Sequence, residues 1–245
     1  MKKPIDAKAD GSEISTYTNS IRFARVNSFP DPPVDAKTAG LDPPSIQITL
    51  HDAKAKADRV LLIGKTSDTD KYYARDASRA AIFILDKDIP EKSRRPLFDW
   101  RDKSITAIDR DKVDKVDIVR GAETLTLLKA GSDWKLPDNR KLQWDKISGM
   151  LNTLDFEKAK DIIDAPAPAS TYGLDKPKLE VVLRHGSDEL VRIAMGNDSK
   201  KPEGIYLKTS NSPAVTVVSK DVFDKFNLKA DDLLEPPPPA EKPKP

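Results

Sequence analysis

Apolar positions along the chain follow two kinds of period, and the order of those periods occurs twice. Residues 12–23 carry Ile14, Tyr17 and Ile21 at helical spacing, with Ser12 placed to cap an amphipathic helix. Residues 145–159 repeat this with Ile147, Met150, Leu151 and Leu154, and with Asp145 as the cap. After each helix the apolar period drops to two. Ile46, Ile48 and Leu50 alternate with polar neighbours, as Leu179, Val181 and Leu183 do. Further strand-like runs follow in matching order: residues 60–64 and 191–196, 72–75 and 205–208, 81–85 and 214–218. Short, alternating, turn-separated runs predict antiparallel pairing with one face solvated.

A turn motif introduces each set of strands. Ala39-Gly40-Leu41-Asp42-Pro43-Pro44 is echoed by Tyr172-Gly173-Leu174-Asp175-Lys176-Pro177, 133 residues later. The same offset pairs Ile14, Asn19 and Phe23 with Ile147, Asn152 and Phe156, and Tyr73 with Tyr206. A register held this long indicates one structural unit used twice. Gly40 and Gly173 can adopt positive φ, Asp42 and Asp175 can form Asx turns, and Pro44 and Pro177 extend the residues before them. The motif lacks the successive glycines of a phosphate cradle, so it reads as the entrance to a strand.

Two more strands, over residues 113–120 and 124–129, form a hairpin before the second helix. No such hairpin precedes the helix at Ser12. The fold expected is α+β, two tandem repeats, each an antiparallel sheet with a packed amphipathic helix. Its divisions are a disordered N-terminal segment (residues 1–11), a first repeat of helix, four strands, connector and hairpin (12–144), a second repeat lacking its hairpin (145–234), and a proline-rich tail (235–245) suited to polyproline II.

Composition narrows the classes of function. Forty-two Lys and Arg balance 40 Asp and Glu, and acidic and basic residues are interspersed, so there is no large field for nucleic acid. The absence of cysteine excludes disulfides and thiolate metal sites. No run approaches the roughly 20 apolar residues that span a bilayer. Met1-Lys2-Lys3-Pro4 resembles the basic start of a signal peptide, but no apolar stretch follows it.

The motifs of catalysis and metal binding find little here. The two histidines, His51 and His185, stand at strand ends without a second ligand at helical or hairpin spacing. No serine occupies a nucleophile elbow, and the many carboxylates form no distinctive pair. No cofactor, metal or catalytic residue is expected. The nearest approach to a binding patch is Arg94-Arg95-Pro96-Leu97-Phe98-Asp99-Trp100-Arg101, where arginines and aromatics interleave; its plainer reading is a connector anchored by Leu97, Phe98 and Trp100. Trp134 and Trp144 bracket the passage from hairpin to second helix and read as core plugs. Trp100, Trp134, Tyr73 and Arg101 are the candidate contacts for a ligand or partner.

These residues resemble a bacterial family known as domain of unknown function 4340. The resemblance rests on the Tyr-Gly-Leu-Asp-x-Pro signature at Tyr172 to Pro177, with its variant at Ala39 to Pro44. It also rests on the alternating strand that follows and on the Ile63-Gly64 and Met195-Gly196 steps. The family's Leu-x-x-Arg-Asp-Lys connector is met by Leu97, Arg101, Asp102 and Lys103 with one extra residue, and its Trp-x-Leu-x-x-Pro hairpin end by Trp134 and Leu136 with Pro137 displaced. The similarity covers residues 12–234. It implies a periplasmic or other extracytoplasmic protein, membrane-associated through a segment absent from this chain and often linked with ABC-type export or gliding-motility systems. It carries no catalytic residues.

The expected function is therefore a non-catalytic cell-envelope scaffold or accessory module of a transport or motility complex, binding protein or glycan. The alternatives are a carbohydrate- or peptide-binding module with a groove between the repeats, and an enzyme working through carboxylates.

Overall fold

The computed structural model describes residues 1–52 and 54–236. The protein is α+β, with five α-helices and two antiparallel sheets of four and eight strands among the described residues. It divides into two compact units, residues 1–102 and residues 103 onward. The expected proline-rich tail, residues 235–245, lies outside the described residues apart from Glu235 and Pro236.

In the first unit, α1 (Gly11–Arg22) begins earlier than the apolar period suggests. Its cap is Asp10, not Ser12: the Asp10 carboxylate accepts from the amides of Ser12 and Glu13 at 2.9 and 3.1 Å. Within residues 1–11, expected to be disordered, Lys8 to Asp10 are tied to the rest of the unit. The Asp10 amide donates to the Trp100 carbonyl at 2.9 Å, and Lys8 pairs with Asp102 at 2.7 Å. Four strands follow as a meander in chain order: β1 (Ile46–Asp52), β2 (Ala57–Asp68), β3 (Lys71–Asp76) and β4 (Ile82–Asp86). The unit closes with α2 (Asp88–Ser93) and a 3₁₀ turn, Leu97–Trp100. Ile48, Ile63, Ala74, Leu85 and Ile89 form its core, with Tyr17 and Ile21 of α1 packed against them.

The second unit is built around a larger core. Its elements are a 3₁₀ turn (Arg110–Lys112), β5 (Lys115–Arg120), β6 (Glu123–Ala130), β7 (Asp133–Lys135), α3 (Trp144–Phe156), β8 (Asp161–Ile163), β9 (Leu179–His185), β10 (Asp188–Lys200), β11 (Glu203–Thr209), β12 (Val215–Val218), α4 (Lys220–Phe226) and α5 (Ala230–Leu233). The sheet order is β7-β6-β5-β9-β10-β11-β12-β8. All four stripe residues of α3 are buried. The helix starts from Gln143, which makes no side-chain cap bond, so Asp145 lies inside the first turn, where a carboxylate favours the helix's positive end. It stops at Phe156, short of residue 159, because the chain turns extended to pair elsewhere: Ala159 donates to Lys103 and Lys160 to Val217.

One expected boundary moves. The β5–β6 hairpin, assigned from the sequence to the end of the first repeat at residue 144, lies in the second unit. There β5 pairs with β9, Val116 opposite Leu183 and Ile118 opposite Val181. A repeat period sets the content of a unit but not the point at which a cycle begins. Pairing over more than sixty residues supplies that phase, and local periodicity does not carry it.

The repetition itself reaches individual hydrogen bonds. Asp10 to Trp100 corresponds to Gln143 to Leu233, Asn27 to Ile84 corresponds to Lys160 to Val217, and Leu41 to Ala36 corresponds to Leu174 to Ala169. Gly40 and Gly173 have φ of 66° and 67°, as the turn requires. The turn is closed by main-chain bonds; Asp42 and Asp175, expected as Asx turns, make no side-chain bond among the described residues. β2 and β10 carry bulges at the matching steps, after Ile63 and after Met195. The glycines there let the bulge touch the turn. A Cβ on Gly64 would lie 2.0 Å from the Ala39 carbonyl oxygen, and one on Gly196 2.1 Å from that of Tyr172. This contact explains why an Ile-Gly or Met-Gly step accompanies the turn motif.

Candidate functional site

The first unit contains a groove of about 630 Å³. Its floor is the inward face of the sheet, with Ile48 and Leu50 from β1, Leu61 from β2 and Phe83 from β4. Ile21 of α1 and the following Val26 and Phe29 form a wall, and Arg22, Arg25, Arg59 and Arg79 stand around the mouth. The walls are apolar yet open to solvent: Val26 is 45% and Phe29 63% exposed. Apolar surface gathered in one place is the usual mark of a contact site. Among the described residues β1 is also an edge strand, pairing with β2 alone.

The equivalent place in the second unit is closed. Val181 and Leu183, equivalents of Ile48 and Leu50, are fully buried, with Ile118 and Val116 of the hairpin beside them in the same sheet and core. Leu154, the equivalent of Ile21, is 1% exposed. Ala159, the equivalent of Val26, is covered by residues 103 and 104, which pair with Ala159 and Lys158. Arg110 donates to Ser148 Oγ at 3.1 Å and to Asn152 Oδ1, fastening the covering segment to α3.

The residues singled out from the sequence are not brought together. Trp100, on the helix side of the first sheet, packs edge-on against Tyr17 with ring centroids 5.0 Å apart. Burial pushes the Tyr17 hydroxyl pKa up, against a hydrogen bond with Ser93 Oγ at 2.6 Å. Arg101 is half-buried and bridges to Ala9. Tyr73 lies between the inward-facing Tyr72 and Ala74 on β3 and so points to the opposite face. Trp134 is 5% exposed and belongs to the core of the second unit, which removes it as a contact residue. Trp144, expected as a core plug, is instead 61% exposed in the first turn of α3.

The arginine–aromatic run is knitted into its own unit. Arg95 pairs with Glu13 at 2.7 Å and with Asp99 at 3.1 Å while lying over the Trp100 ring, and the Glu13 bond is the chief cause of its raised pKa. Arg94 covers the Tyr72 ring. His51 and His185 are surface residues bonded to Asp58 and Asp114 at 2.8 and 3.1 Å. Among the described residues no group of three or more His, Asp or Glu is placed to hold a metal. The carboxyls with displaced proton affinity (Asp35, Asp52, Asp76, Asp138 and Asp198) are all displaced downward, by hydrogen bonds to their ionised forms.

Val26 and Phe29 escaped the sequence reading because they follow the helical period of residues 12–23 and precede the strand period that begins at Ile46. The available signal was a comparison of the copies: Val26 stands where the second unit has the smaller Ala159.

Fold and site together define a tandem α+β repeat protein with one closed copy and one open copy. The chain belongs to the family described as domain of unknown function (DUF4340), whose model matches residues 1–154 and again residues 134–238. No curated protein and no solved structure matches it. No helix among the described residues is long and apolar enough to cross a membrane.

Proposed function

We propose that this protein is a non-catalytic scaffold or accessory module of the cell envelope, working by binding a partner protein in a membrane transport or motility complex. The observation that carries the binding reading is the apolar groove of the first unit, open where its structural equivalent is covered. A groove whose walls include Val26 and Phe29 leaves apolar area exposed that contact with another molecule would bury, at roughly 25 cal/mol per Å². The envelope location and the transport or motility setting rest on the family resemblance set out from the sequence.

The test is fractionation and affinity purification from native membranes of the source cell, with mild crosslinking. The reading expects the protein in the envelope fraction, co-purifying in fixed ratio with subunits of a transporter or motility machine. Recovery in the cytosolic fraction alone, with no envelope protein in fixed ratio, contradicts it. Glycan binding, the other expected partnership, finds less support: Trp100 is packed on Tyr17 and Trp134 is in the core.

A further inference from the structure

Of the three tryptophans, Trp144 is the one that packing leaves unused. It stands 61% exposed in the first turn of α3, while Trp100 lies against Tyr17 and Trp134 is in the core. The repeated frame does not require it, because 133 residues earlier the same position of α1 is Gly11. A single exposed aromatic is ordinary on a protein surface. This one borders a polar pocket of about 100 Å³ within the second unit.

Three separate segments build the pocket. The 3₁₀ turn before β5 brings Arg110 and Asp111, and α3 brings Trp144 and Ser148. Lys129 and Ser132 come from the end of β6 and the turn after it. Lys129 is there because β6 alternates. Leu125 and Leu127 face the core, and the same period turns Lys129 to that side, opposite Trp134 on β7. Trp134, 5% exposed, is part of the floor.

The balance of charge decides what the pocket suits. Arg110 is already committed: it donates to Ser148 Oγ at 3.1 Å and to Asn152 Oδ1, and Asp155 lies 3.7 Å away. That leaves Lys129 and Asp111, of opposite sign, each without a side-chain partner among the described residues. Such a pair gives no strong field of one sign for a phosphate. It gives an ammonium donor, a carboxylate acceptor, and in Ser132 a hydroxyl that can do either. Donors and acceptors mixed in one small space suit a molecule whose own polar groups are hydroxyls.

We propose that this pocket is a saccharide site that takes one pyranose ring. The C–H face of the sugar lies on the Trp144 indole, an apolar surface on an aromatic one, while its hydroxyls bond Lys129, Asp111 and Ser132. A volume of about 100 Å³ is well below that of a pocket enclosing a drug-sized ligand, so it holds one edge of a single sugar. The proposal does not rest on the scaffold reading. Because the 3₁₀ turn, the hairpin and α3 all contribute, an occupied site also ties the covering segment to the helix.

The test is titration of the full-length chain, followed by the NMR signal of the Trp144 indole N–H and by amide exchange. The probes are the methyl pyranosides of glucose, galactose, mannose, N-acetylglucosamine and glucuronic acid, each beside its free sugar. The expected result is a saturable shift with at least one of them, with Kd of about 1 mM, and slowed exchange in residues 110–113 and 144–148. Trp144→Ala should weaken binding about tenfold or more, Trp144→Phe less, and Lys129→Ala several-fold, each leaving the thermal midpoint in place. Phe156→Ala, at a residue 74% exposed at the far end of α3, should change nothing. A methyl glycoside that binds as well as its free sugar marks the end of a glycan chain as the source, and a free sugar that binds alone marks a monosaccharide. Both results uphold the site.

Four results would overturn it. These are no binding by any probe, a shift that inorganic phosphate or glycerol reproduces, affinity unmoved by Trp144→Ala, or binding that maps to the first unit. All of them read the isolated chain, so they are independent of whether an envelope complex is recovered from cells.

Discussion

Ile21 on α1 and Leu154 on α3 occupy the same place in two copies of one unit, and their surroundings differ sharply. Leu154 is 1% exposed, in a core that also takes Val116, Ile118, Leu127 and Trp134 from the hairpin. Ile21 is half-buried and forms the wall of an open groove. The frame around both is nearly identical, down to matching hydrogen bonds at the strand entrance and the helix start. What differs is the covering segment. The comparison teaches that the helix and four strands form the repeated frame, and that the burial of Leu154 depends on a covering segment outside that frame.

The largest expected effect separates the copies. Leu154→Ala should cost about 2–5 kcal/mol, as for a fully buried leucine, whereas Ile21→Ala should cost about 1 kcal/mol or less because water already reaches its site. Urea unfolding, followed by amide exchange in each unit, measures both. Equal costs would mean that the groove is closed in solution.

The next effect should unite the copies. Gly64→Ala and Gly196→Ala each drive a methyl group into a main-chain carbonyl, and each should cost about 2–3 kcal/mol in its own unit. A tolerated substitution in one copy alone would break the equivalence of the turn contact.

A third test weighs the hairpin's hold on its sheet. Asp117, 7% exposed on β5, accepts from Thr126 Oγ1 at 2.7 Å and from Arg184 Nε of β9 at 3.0 Å. Asp117→Ala should cost about 1–3 kcal/mol in the second unit by removing the acceptor that Thr126 and Arg184 share, and nothing measurable in the first.

The smallest effect is that of pH. In the first unit the Asp35 carboxyl is held low chiefly by the Thr38 amide, and in the second Asp198 is held low by bonds from Lys220 and Lys178. Folded values below unfolded ones mean that this stability is complete above about pH 4 and is lost as pH falls through the folded values. Lys87 and Lys220 are raised, chiefly by hydrogen bonds to Asp70 and Asp198. Their contribution is present below about pH 10 and is lost as pH rises through the folded values. All these groups are at the surface, so thermal midpoints should move by no more than a few degrees at either end.

Much of this architecture was legible in the sequence. Alternation at Ile46, Ile48 and Leu50 and at Leu179, Val181 and Leu183 marked the strands, and the spacing of Gly40 and Gly173 marked the duplication. β7 and β8 were missed because three residues are too few to show a period. The caps of both helices were displaced because Asp10 and Gln143 lie outside the apolar stripes that located them. The site was the least legible part. Val26 and Phe29 lie between the helical and the strand periods, and only long-range pairing shows that Ala159, the equivalent of Val26, is buried while Val26 is not.

The central claim is that β1 is an open edge and β9 a covered strand of the same repeated frame. Amide exchange of the free chain, compared between residues 46–52 and 179–185, tests it directly. The account predicts that β9 exchanges only with unfolding of its unit, while the edge amides of β1 exchange at least about a hundredfold faster. Equal, full protection of the two strands would contradict it.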